Sequence, residues 1–536
     1  PTAMDETNAI SFTNTEECVT QFMETGESDT LSAVKCLASQ VDAGETILRQ
    51  ALTIFFLIYS ASLVFLMQAG FAMICSGCVR IKNVQNTMLK NLLDVCGSSI
   101  AFYFVGYAFA FGGDPEETSF IGNTNFFLMR FHDDKTGLLH AQWLFQFAFA
   151  ATAATIVAGT LAERCQMKAY LMYSMVLTGF VYPVVVHNIW SPSGFLNNSI
   201  PDPLFGSGMV DFAGSGVVHV TGGVTALIAT LLLGPRKGRF YDDRGKKFDE
   251  PKAFPGHSKS LQMLGTLILW FGWYGFNAGS AVISKPTLQP LLITRSVVNT
   301  TLAGSASGLT ALLSNLIYNE RRTGEPLYKL SAAMNGCLAG LASITGSCGV
   351  IEPWAATVIG VVAGQLYLLS SHLLGKWCID DAVDAIPVHF TSGVWGVIAT
   401  GLFASPSGLS QYYGRSDNLH VGWFYSWGRG SGDASLLACQ IIGVLFIIGW
   451  VSVIMTPFFV ALNYFGMFRA DGLEEVVGLD ISYHGWTADV VSNEVSQTQL
   501  DAYYRGRGVK RHDLYLTADT DDPERDYDGD CVDRFE

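Results

Sequence analysis

The chain contains repeated apolar runs of about twenty residues, and this feature limits its fold more than any other. A helix that crosses the hydrocarbon core of a bilayer needs ~20 mostly apolar residues, and lipid offers no hydrogen-bond partner to an exposed backbone. Eleven such runs occur, at 50–75, 90–112, 139–162, 167–187, 210–234, 259–283, 294–318, 329–346, 353–375, 385–404 and 434–465. They predict an all-α integral membrane protein with eleven transmembrane helices.

Composition agrees with this prediction. Hydrophobic residues make up 49% of the 536 positions, charged residues only 15%, and the mean hydropathy is +0.30. A soluble protein carries about a quarter charged residues. Much of the net charge of −15 comes from the polar segment after residue 465, and no cluster is basic enough to bind nucleic acid. The composition therefore favours a membrane protein and argues against a nucleic-acid partner.

An odd number of spans places the two ends of the chain on opposite sides of the membrane. Lys and Arg accumulate in cytoplasmic loops, and most of them share a side with the C-terminus, especially in 236–259. We therefore expect a multi-pass plasma-membrane protein with its N-terminus outside and its C-terminus in the cytoplasm. Its predicted parts are an extracellular segment at 1–49, a transmembrane domain at 50–465, and a cytoplasmic regulatory tail at 466–536 that is disordered near its acidic end.

Two modifications are expected on the outer side. Cys18 and Cys36 both precede the first span, and an oxidising compartment favours a disulfide between them. Asn197-Asn198-Ser199 follows the fourth span and matches the N-glycosylation sequon, so Asn197 is the predicted acceptor.

Two histidines lie away from the ends of predicted spans, where lipid would exclude a polar group and an ionisable side chain indicates a functional site. His219 and His389 both occur in the motif V-H-x-T-x-G, in the fifth and tenth spans. An acidic residue precedes each, Asp211 by eight positions and Asp384 by five. This match predicts two inverted five-helix repeats followed by an eleventh helix, with the substrate at their shared interface. The alternative is that each histidine only hydrogen-bonds a neighbouring helix.

Longer motifs around these histidines resemble the ammonium transporter family, which is related to the Rhesus glycoproteins. They are Asp211-Phe-Ala-Gly-Ser-Gly-Val-Val-His219, Trp273-Tyr-Gly-Phe276-Asn-Ala-Gly-Ser280, Leu161-Ala-Glu-Arg164, and Asp380-Asp381 with Asp384. The stretches Gly70-Phe-Ala-Met, Lys82-Asn83 and Gly106-Tyr-Ala-Phe-Ala-Phe-Gly112 are similar to the plant and algal branch. The resemblance extends from about residue 50 to Trp486, and it implies an eleven-helix pore in each subunit of a homotrimer.

The resemblance also assigns an outer recognition site for ammonium. The family's site corresponds to Phe149, Trp190 and Ser280, and its stacked pore gate to Phe149 and Phe276. The loop from Trp190 to Asp211 is longer than in many bacterial members, which makes the placement of Trp190 less direct than the others. Ammonium and potassium have similar sizes, so the mouth must recognise more than size. The Ser280 hydroxyl can accept a hydrogen bond that potassium cannot donate.

Below the gate, the family's pore histidine pair corresponds to His219 and His389, and Trp273 is expected to line the pore near the second histidine. Two adjoining imidazoles can share one hydrogen bond and still offer polar edges to ammonia. Such a pair can also relay a proton, which would make net transport electrogenic. Asp211 is expected to have a structural or electrostatic role, either by capping a helix start or by tuning the outer site.

Several functions are compatible with an intramembrane histidine pair. The preferred interpretation is an ammonium transporter that takes ammonium, and also methylammonium, and that contacts membrane lipid. A Rhesus-type gas channel shares the histidines but generally lacks the aromatic cup with tryptophan, and an ammonium sensor shares the whole pore. A haem or metal enzyme is disfavoured because the sequence offers no further ligand set or catalytic dyad, so neither an enzyme activity nor a cofactor is predicted.

The tail contains a candidate regulatory site. Gly478-Leu-Asp-Ile-Ser-Tyr-His-Gly485 resembles the tail motif of the family, and Ser482 occupies the position where plant-type members carry a phosphorylatable threonine. A kinase acting on Ser482 would add about −1.5 to −2 charges beside Asp480. The resemblance implies a tail that packs on its own subunit and on a neighbour, so the added charge is predicted to unseat it. The alternative is an ordinary surface serine.

Overall fold

The computed structural model describes residues 30–114, 116–242, 244–282, 288–484 and 496–506. Within these ranges the chain is built from helices, and extended pairing is limited to isolated single-residue bridges. The prediction of an all-helical protein is therefore confirmed for the described part of the chain.

Eight helices in the described residues are long and apolar enough to cross a bilayer. They are Val41–Cys78, Ile81–Phe111, Leu138–Thr160, Met167–Trp190, Ser215–Leu233, Pro353–Lys376, Ile386–Phe403 and Ser435–Tyr464. These helices coincide with eight of the eleven predicted spans, which supports a membrane protein with several transmembrane helices.

The three other predicted spans are also helical. They correspond to the helices Lys259–Ser280, Pro290–Thr323 and Leu330–Ile344. The first two fall short of the apolar composition of the eight. The third has 15 residues, fewer than the ~20 that a bilayer crossing needs. The count of eleven transmembrane helices stays a prediction.

Two helix boundaries differ from those predicted. The first helix occupies Thr30–Cys78 and so extends into the segment 1–49, which was expected to precede the helical domain. The second span begins at Ile81 instead of 90, so Lys90 lies inside the span instead of at its edge. The apolar run fails to reveal this because Lys82 and Lys90 are polar, yet the fold buries both side chains.

The two histidine motifs have matching local structures. Each begins with a widened π-helical turn, Ser215–Val220 or Ile386–Thr391, that continues as a regular helix. The acidic partner of the second motif is Asp381 instead of Asp384. Like Asp211, Asp381 precedes its histidine by eight positions and accepts hydrogen bonds from backbone N–H groups at the start of its turn. The five-residue spacing assigned to Asp384 was therefore the wrong match.

The first helix packs tightly along Lys259–Ser280, the helix that carries Trp273 and Phe276. Gly70 and Gly265 meet where the two helices approach, and a Cβ atom on Gly265 would lie 2.6 Å from the Gly70 carbonyl oxygen. Small residues permit such approach between helices in membranes. The close packing holds both aromatic side chains in the interior, where each is 0% exposed.

After the last long helix the chain folds back onto one end of the bundle, which we call the tail side. The helices Gly472–Val477, Leu479–His484 and Gln497–Gly506 follow each other there. Asp480 accepts hydrogen bonds from the backbone N–H groups of Gln85, at 2.9 Å, and Asn86, at 2.7 Å. This contact caps the second spanning helix with a tail residue. The disorder predicted near the C-terminus falls on 507–536, outside the described residues.

Candidate functional site

The two motif histidines contact each other inside the bundle. Nδ1 of His219 lies 3.2 Å from Nδ1 of His389, and the ring centroids are 5.1 Å apart with 27° between the ring planes. The side chains are 0% and 4% exposed. In this contact one nitrogen donates and the other accepts, so the pair holds one proton between its Nδ1 atoms. Nε2 of His219 has no hydrogen-bond partner among the described residues, so this nitrogen can form a hydrogen bond with a small molecule.

From the histidine pair, aromatic rings lie one after another toward the end of the bundle that is opposite the tail side. Phe276 stacks on His219, with centroids 5.7 Å apart and 16° between planes. Phe149 stacks on Phe276 at 3.9 Å and 19°, and Trp190 meets the edge of Phe149 at 5.9 Å. Phe149 and Phe276 are each 0% exposed. The four rings form one column, in which the two buried phenylalanines stack directly on each other.

Trp273 and Ser280 lie on the same helix as Phe276. Trp273 packs 5.5 Å from the ring of His219, and its Nε1–H donates to Thr345 Oγ1 at 3.0 Å. Trp273 therefore contacts the first histidine, and its expected position near the second histidine stays a prediction. Ser280 donates its hydroxyl proton to the Phe276 carbonyl at 2.9 Å. The Ser280 oxygen can still accept a hydrogen bond.

A cavity of about 780 Å³ lies beyond Trp190, at the end of the bundle opposite the tail side, and we call it the vestibule. Trp190 and Ser280 both line it. Its other polar lining side chains include amides, hydroxyls and one guanidinium: Tyr107, Asn125, Gln142, Gln146, Asn197, Asn198, Ser199, Tyr412, Tyr413, Arg415 and Asn418. No carboxylate occurs among these described lining residues. A cation in the vestibule would therefore be held by neutral oxygens and aromatic faces.

A second cavity, of about 20 Å³, lies on the tail side of His389 and is lined by Phe71, Cys75, Thr155 and Val383 among others. A cavity needs roughly 10–15 Å³ of this kind of volume to hold one water molecule. Ammonia is close to water in size, so one molecule of either fits. The aromatic column and the histidine pair thus separate a wide vestibule from a small tail-side cavity.

Asp211 connects the first histidine helix to Trp190. Its carboxylate accepts hydrogen bonds from the backbone N–H groups of Gly214, Gly216 and Val217, at 3.1, 2.8 and 2.8 Å. Its backbone carbonyl accepts the Nε1–H of Trp190 at 2.7 Å. The Asp211 side chain is 1% exposed. Its carboxylate holds the start of the histidine helix, and the carbonyl orients the indole that faces Phe149.

The predicted modification sites stay predictions. Asn197 is half-buried at the vestibule, and its Nδ2, the atom to which a glycan would be attached, donates to the Ile189 carbonyl at 2.9 Å. Cys18 lies outside the described residues, as does the side chain of Cys36. The proposed disulfide therefore has no described geometry.

A buried ionic cluster ties together the helix ends on the tail side. Arg236 lies between two carboxylates, 2.8 Å from Asp380 and 3.3 Å from Glu163. Arg80 adds a hydrogen bond of 2.7 Å from its Nε to Glu163. Burial alone would raise the pKa of each carboxyl group, but the arginines outweigh it and hold the pKa of both Glu163 and Asp380 below the ordinary values. Both acids are therefore charged at neutral pH, and the cluster joins elements that are far apart in sequence.

Asp381 and Asp384 flank the tail-side cavity, since Val383 and Ala385 between and beside them line it. Burial, together with the like charge of Asp384, raises the pKa of Asp381 to about 7. Burial also raises the pKa of Asp384. The charge of Asp381 can therefore change near neutral pH.

Ser482 is half-buried in the tail helix Leu479–His484, and its hydroxyl donates to the Gly478 carbonyl at 3.0 Å. It lies two positions after Asp480, the residue that caps the second span. A charged group added at Ser482 would therefore be close to the contact that seats the tail.

Three buried polar residues were not selected from the sequence. Gln146, three positions before Phe149, is 2% exposed in the vestibule wall, and neither of its amide atoms has a hydrogen-bond partner in the described structure. Lys90 and Asp94 lie within the second span and are 2% and 0% exposed. The signal in the sequence that could reveal them is a polar or ionisable residue inside an apolar run.

Comparison with known proteins identifies the family. Residues 55–489 match the model of the Ammonium Transporter Family. Ammonium transporter 1 member 3 of Solanum lycopersicum is 40% identical over 463 residues, covering 84% of this chain and 95% of the relative. Ammonium transporter 3 of Dictyostelium discoideum is 40% identical over 434 residues, covering 80% and 92%. A solved structure described as a sensor Amt protein is 30% identical with a TM-score of 0.69, covering 81% of this chain and 99% of that one. This chain belongs to the ammonium transporter family.

Proposed function

We propose that this protein moves ammonium across a membrane through a pore that passes the vestibule, the aromatic column, the histidine pair and the tail-side cavity. The observation that carries the proposal is the 3.2 Å contact between His219 and His389 at the boundary between the column and the tail-side cavity. The relatives named as ammonium transporters support the choice of cargo, and methylammonium is the nearest analogue that the pore should accept.

The vestibule end selects ammonium by recognition followed by deprotonation. Trp190 and Phe149 offer aromatic faces worth ~2 kcal/mol or more to a desolvated cation, and the Ser280 oxygen accepts one N–H. Moving a bare ion into hydrocarbon costs on the order of 20 kcal/mol by the idealised Born estimate. Aromatic faces cannot offset that cost, so potassium stops at the mouth. Ammonium can lose a proton and continue as neutral ammonia, which faces no such barrier.

The histidine pair then serves both the ammonia and the proton. The unpartnered Nε2 of His219 can bind ammonia that has passed Phe276. The shared proton between the two Nδ1 atoms can shift from one ring to the other, so a proton gained by His219 is passed on by His389. Transport of ammonia plus a proton carries one positive charge and is therefore electrogenic.

The architecture that we propose is the one that the sequence predicts. The protein has eleven transmembrane helices in two inverted repeats, and the tail side with Arg236 and Lys237 faces the cytoplasm because basic loops stay there. The vestibule then faces the outside of the plasma membrane. Three copies form a homotrimer with one pore each, surrounded by lipid.

The test is an electrical recording from a membrane that contains this protein alone. We expect an inward current with ammonium outside and no current with potassium at the same concentration. Uptake of ammonium without current would contradict the proton relay and leave a conducting pore for ammonia. Absence of both uptake and current would contradict the transport function itself.

One further function has a specific observation in its favour. The solved structure described as a sensor matches this chain over 99% of the sensor's own length. The pore of this protein can therefore report ammonium to a partner instead of conducting it in bulk. The recording separates the two functions, because a dedicated sensor binds ammonium with little flux. A Rhesus-type gas channel is less favoured, since Trp190 contacts Phe149 at a mouth that also contains Ser280.

We also propose that the docked tail controls the pore. Arg469 forms ion pairs with Glu475, and the Glu475 carboxylate accepts a hydrogen bond from the backbone N–H of Lys237 at 2.7 Å. Lys237 follows Arg236, whose guanidinium binds Asp380, the neighbour of the helix-capping Asp381. These contacts give the tail a physical route to the helix of His389. A kinase that modifies Ser482 would act through this route.

A further inference from the structure

Two ionisable side chains lie inside the second spanning helix, away from the aromatic column. Lys90 and Asp94 are one helical turn apart within Ile81–Phe111, and their exposures are 2% and 0%. Charged groups inside a membrane are costly and mark functional sites. A contact whose only purpose was to join two helices could be made by neutral side chains at lower cost.

The hydrogen bonds of Lys90 and Asp94 do not involve all of their polar atoms. The Tyr170 hydroxyl donates to Asp94 Oδ2 at 2.9 Å, and Lys90 Nζ donates to the Cys165 carbonyl at 2.6 Å. Lys90 Nζ also lies 5.5 Å from the centre of the Tyr170 ring. Asp94 Oδ1 has no hydrogen-bond partner in the described structure, and neither has Oδ1 of Asn91, one turn away. Two buried acceptor oxygens therefore lie one turn apart on this helix, and the neighbouring donors are the Ser174 hydroxyl beside Asp94 and the Cys75 thiol beside Asn91.

Cys75 connects the second spanning helix to the tail-side cavity. It lines the tail-side cavity together with His389 and is 3% exposed. Its thiol also interacts with the side chain of Asn91. Thus a cavity that holds one water-sized molecule borders both His389 and Cys75. Cys75 in turn contacts Asn91, which is one helical turn from Asp94. Neutral ammonia can leave through the cavity itself and does not need a buried acceptor oxygen.

From this arrangement we propose that Asp94 is the proton acceptor on the tail side of the pore, and that it takes the proton released by His389 while ammonia remains in the tail-side cavity. The inference rests on the proposed transport of ammonia plus a proton. It assigns a role to a residue outside the aromatic column and the histidine pair.

The transfer balances as follows. An N–H bond of the protonated His389 breaks, the proton crosses the cavity through a water molecule or the Cys75 thiol, and an O–H bond forms at Asp94 Oδ1. Asp94 later loses this proton toward the tail-side solution, where ammonia binds it and ammonium forms again. Lys90 compensates the charge of the carboxylate at that stage, so the pair alternates between zero and one positive charge.

Other titratable groups face Asp94 from each element packed around it, and they form the setting of any pH dependence. They are Lys90 on the same helix, Cys75 on the first helix, Tyr170 and Tyr173 on the helix Met167–Val176, and Cys165 just before that helix.

The test uses the full-length protein reconstituted in liposomes, with electrical current and methylammonium uptake measured on the same preparation. Asp94→Asn should lower the charge moved per methylammonium at least tenfold and should abolish the dependence of current on the inside pH. The control is Cys96→Ala, an exposed position on the same helix, which should behave as wild type. Unchanged current and pH dependence in Asp94→Asn would overturn the proposal.

Two further variants separate proton transfer from a structural role. Asp94→Glu keeps the acid and should restore electrogenic uptake. Tyr170→Phe removes a hydroxyl that stabilises the carboxylate, so its half-maximal current should move to higher inside pH at normal protein yield. Equal loss of assembled protein in all three variants, with a normal charge ratio in what remains, would show a helix tie and overturn the proposal. Electroneutral uptake by the wild type would instead contradict the proposed transport mechanism on which the inference depends.

Discussion

His219 and His389 share a motif but have different neighbours. His219 is enclosed by Phe276 and Trp273, whereas His389 borders the tail-side cavity. The first is therefore placed to receive ammonia that has passed the phenylalanines, and the second to release it. In the proposed pore, two positions with the same motif thus serve successive steps of one path.

Replacing His389 with alanine should abolish or greatly slow ammonium-specific transport while the protein still assembles. The change removes half of the Nδ1–Nδ1 contact and any proton transfer through it. Ammonium current and uptake in reconstituted membranes measure the effect, and the exposed His372→Ala is the matched control. An acidic replacement such as His219→Glu should admit potassium, because a fixed charge compensates the ion. Normal rate and selectivity in His389→Ala would show that the relay idea is wrong.

Replacing Trp190 with leucine should raise the half-saturating ammonium concentration by roughly five- to thirty-fold. This range corresponds to the loss of a cation–π face worth about 1–2 kcal/mol. The maximal rate should stay the same or increase, since ammonium leaves a weaker mouth site more easily. The measurement is current against ammonium concentration. Trp190→Phe is the control, because it keeps an aromatic face and loses only the hydrogen bond to Asp211; equal affinities in all three proteins would exclude Trp190 from the mouth.

At the scale of single residues, the sequence predicted the site residues that belong to long motifs and missed those that do not. Motifs around His219 and Phe276 carried the assignments, and the structure brings these side chains into one column. A motif does not state which helix faces which, so it could not give the contact between Trp273 and His219. Gln146 and Asp94 were missed because a single polar residue in an apolar run has no partner until distant helices meet.

At the scale of elements, helix existence followed from apolar length, but helix ends did not. The second span begins with buried polar residues that a hydropathy pattern assigns to a loop, and their partners lie in the tail and near Cys165. The pairing of Asp381 with its histidine helix was missed for a similar reason. Only the backbone N–H groups that a carboxylate accepts distinguish Asp381 from Asp384 as a helix cap.

The approach of the first helix to Lys259–Ser280 gives a prediction at the element scale. Gly265→Ala should lower the melting temperature of the solubilised protein and reduce transport, because the added Cβ would lie 2.6 Å from the Gly70 carbonyl oxygen. Overpacking of this kind costs about 1–3 kcal/mol. Gly449→Ala is the matched control, since that exposed helical glycine has open space around its Cβ position. Identical melting of both variants would mean that the two helices separate easily.

At the scale of the whole molecule, the tail is attached to the helix bundle at two places. Arg469 and Glu475 bind the loop after the first histidine helix, and Asp480 caps the second span beside Lys90 and Asp94. The sequence predicted a regulatory tail from its motif, but it did not predict these contacts, because they join residues that are 236 to 395 positions apart. Movement of the tail would therefore affect the ends of several spanning helices at once.

The final prediction concerns Ser482. Ser482→Asp should stop transport, whereas Ser482→Ala should leave it working, because only the first adds charge beside the carboxylate of Asp480. That repulsion would release the cap from Gln85 and Asn86 and, with it, the tail. Ammonium uptake by each variant, at equal amounts of protein in the membrane, provides the measurement. The resemblance implies that each tail also contacts a neighbouring subunit, so the effect should spread through a trimer. When Ser482→Asp and wild-type chains are mixed, activity should fall more steeply than the wild-type fraction. A fall in simple proportion to that fraction would leave a local defect in each pore and no switch between subunits.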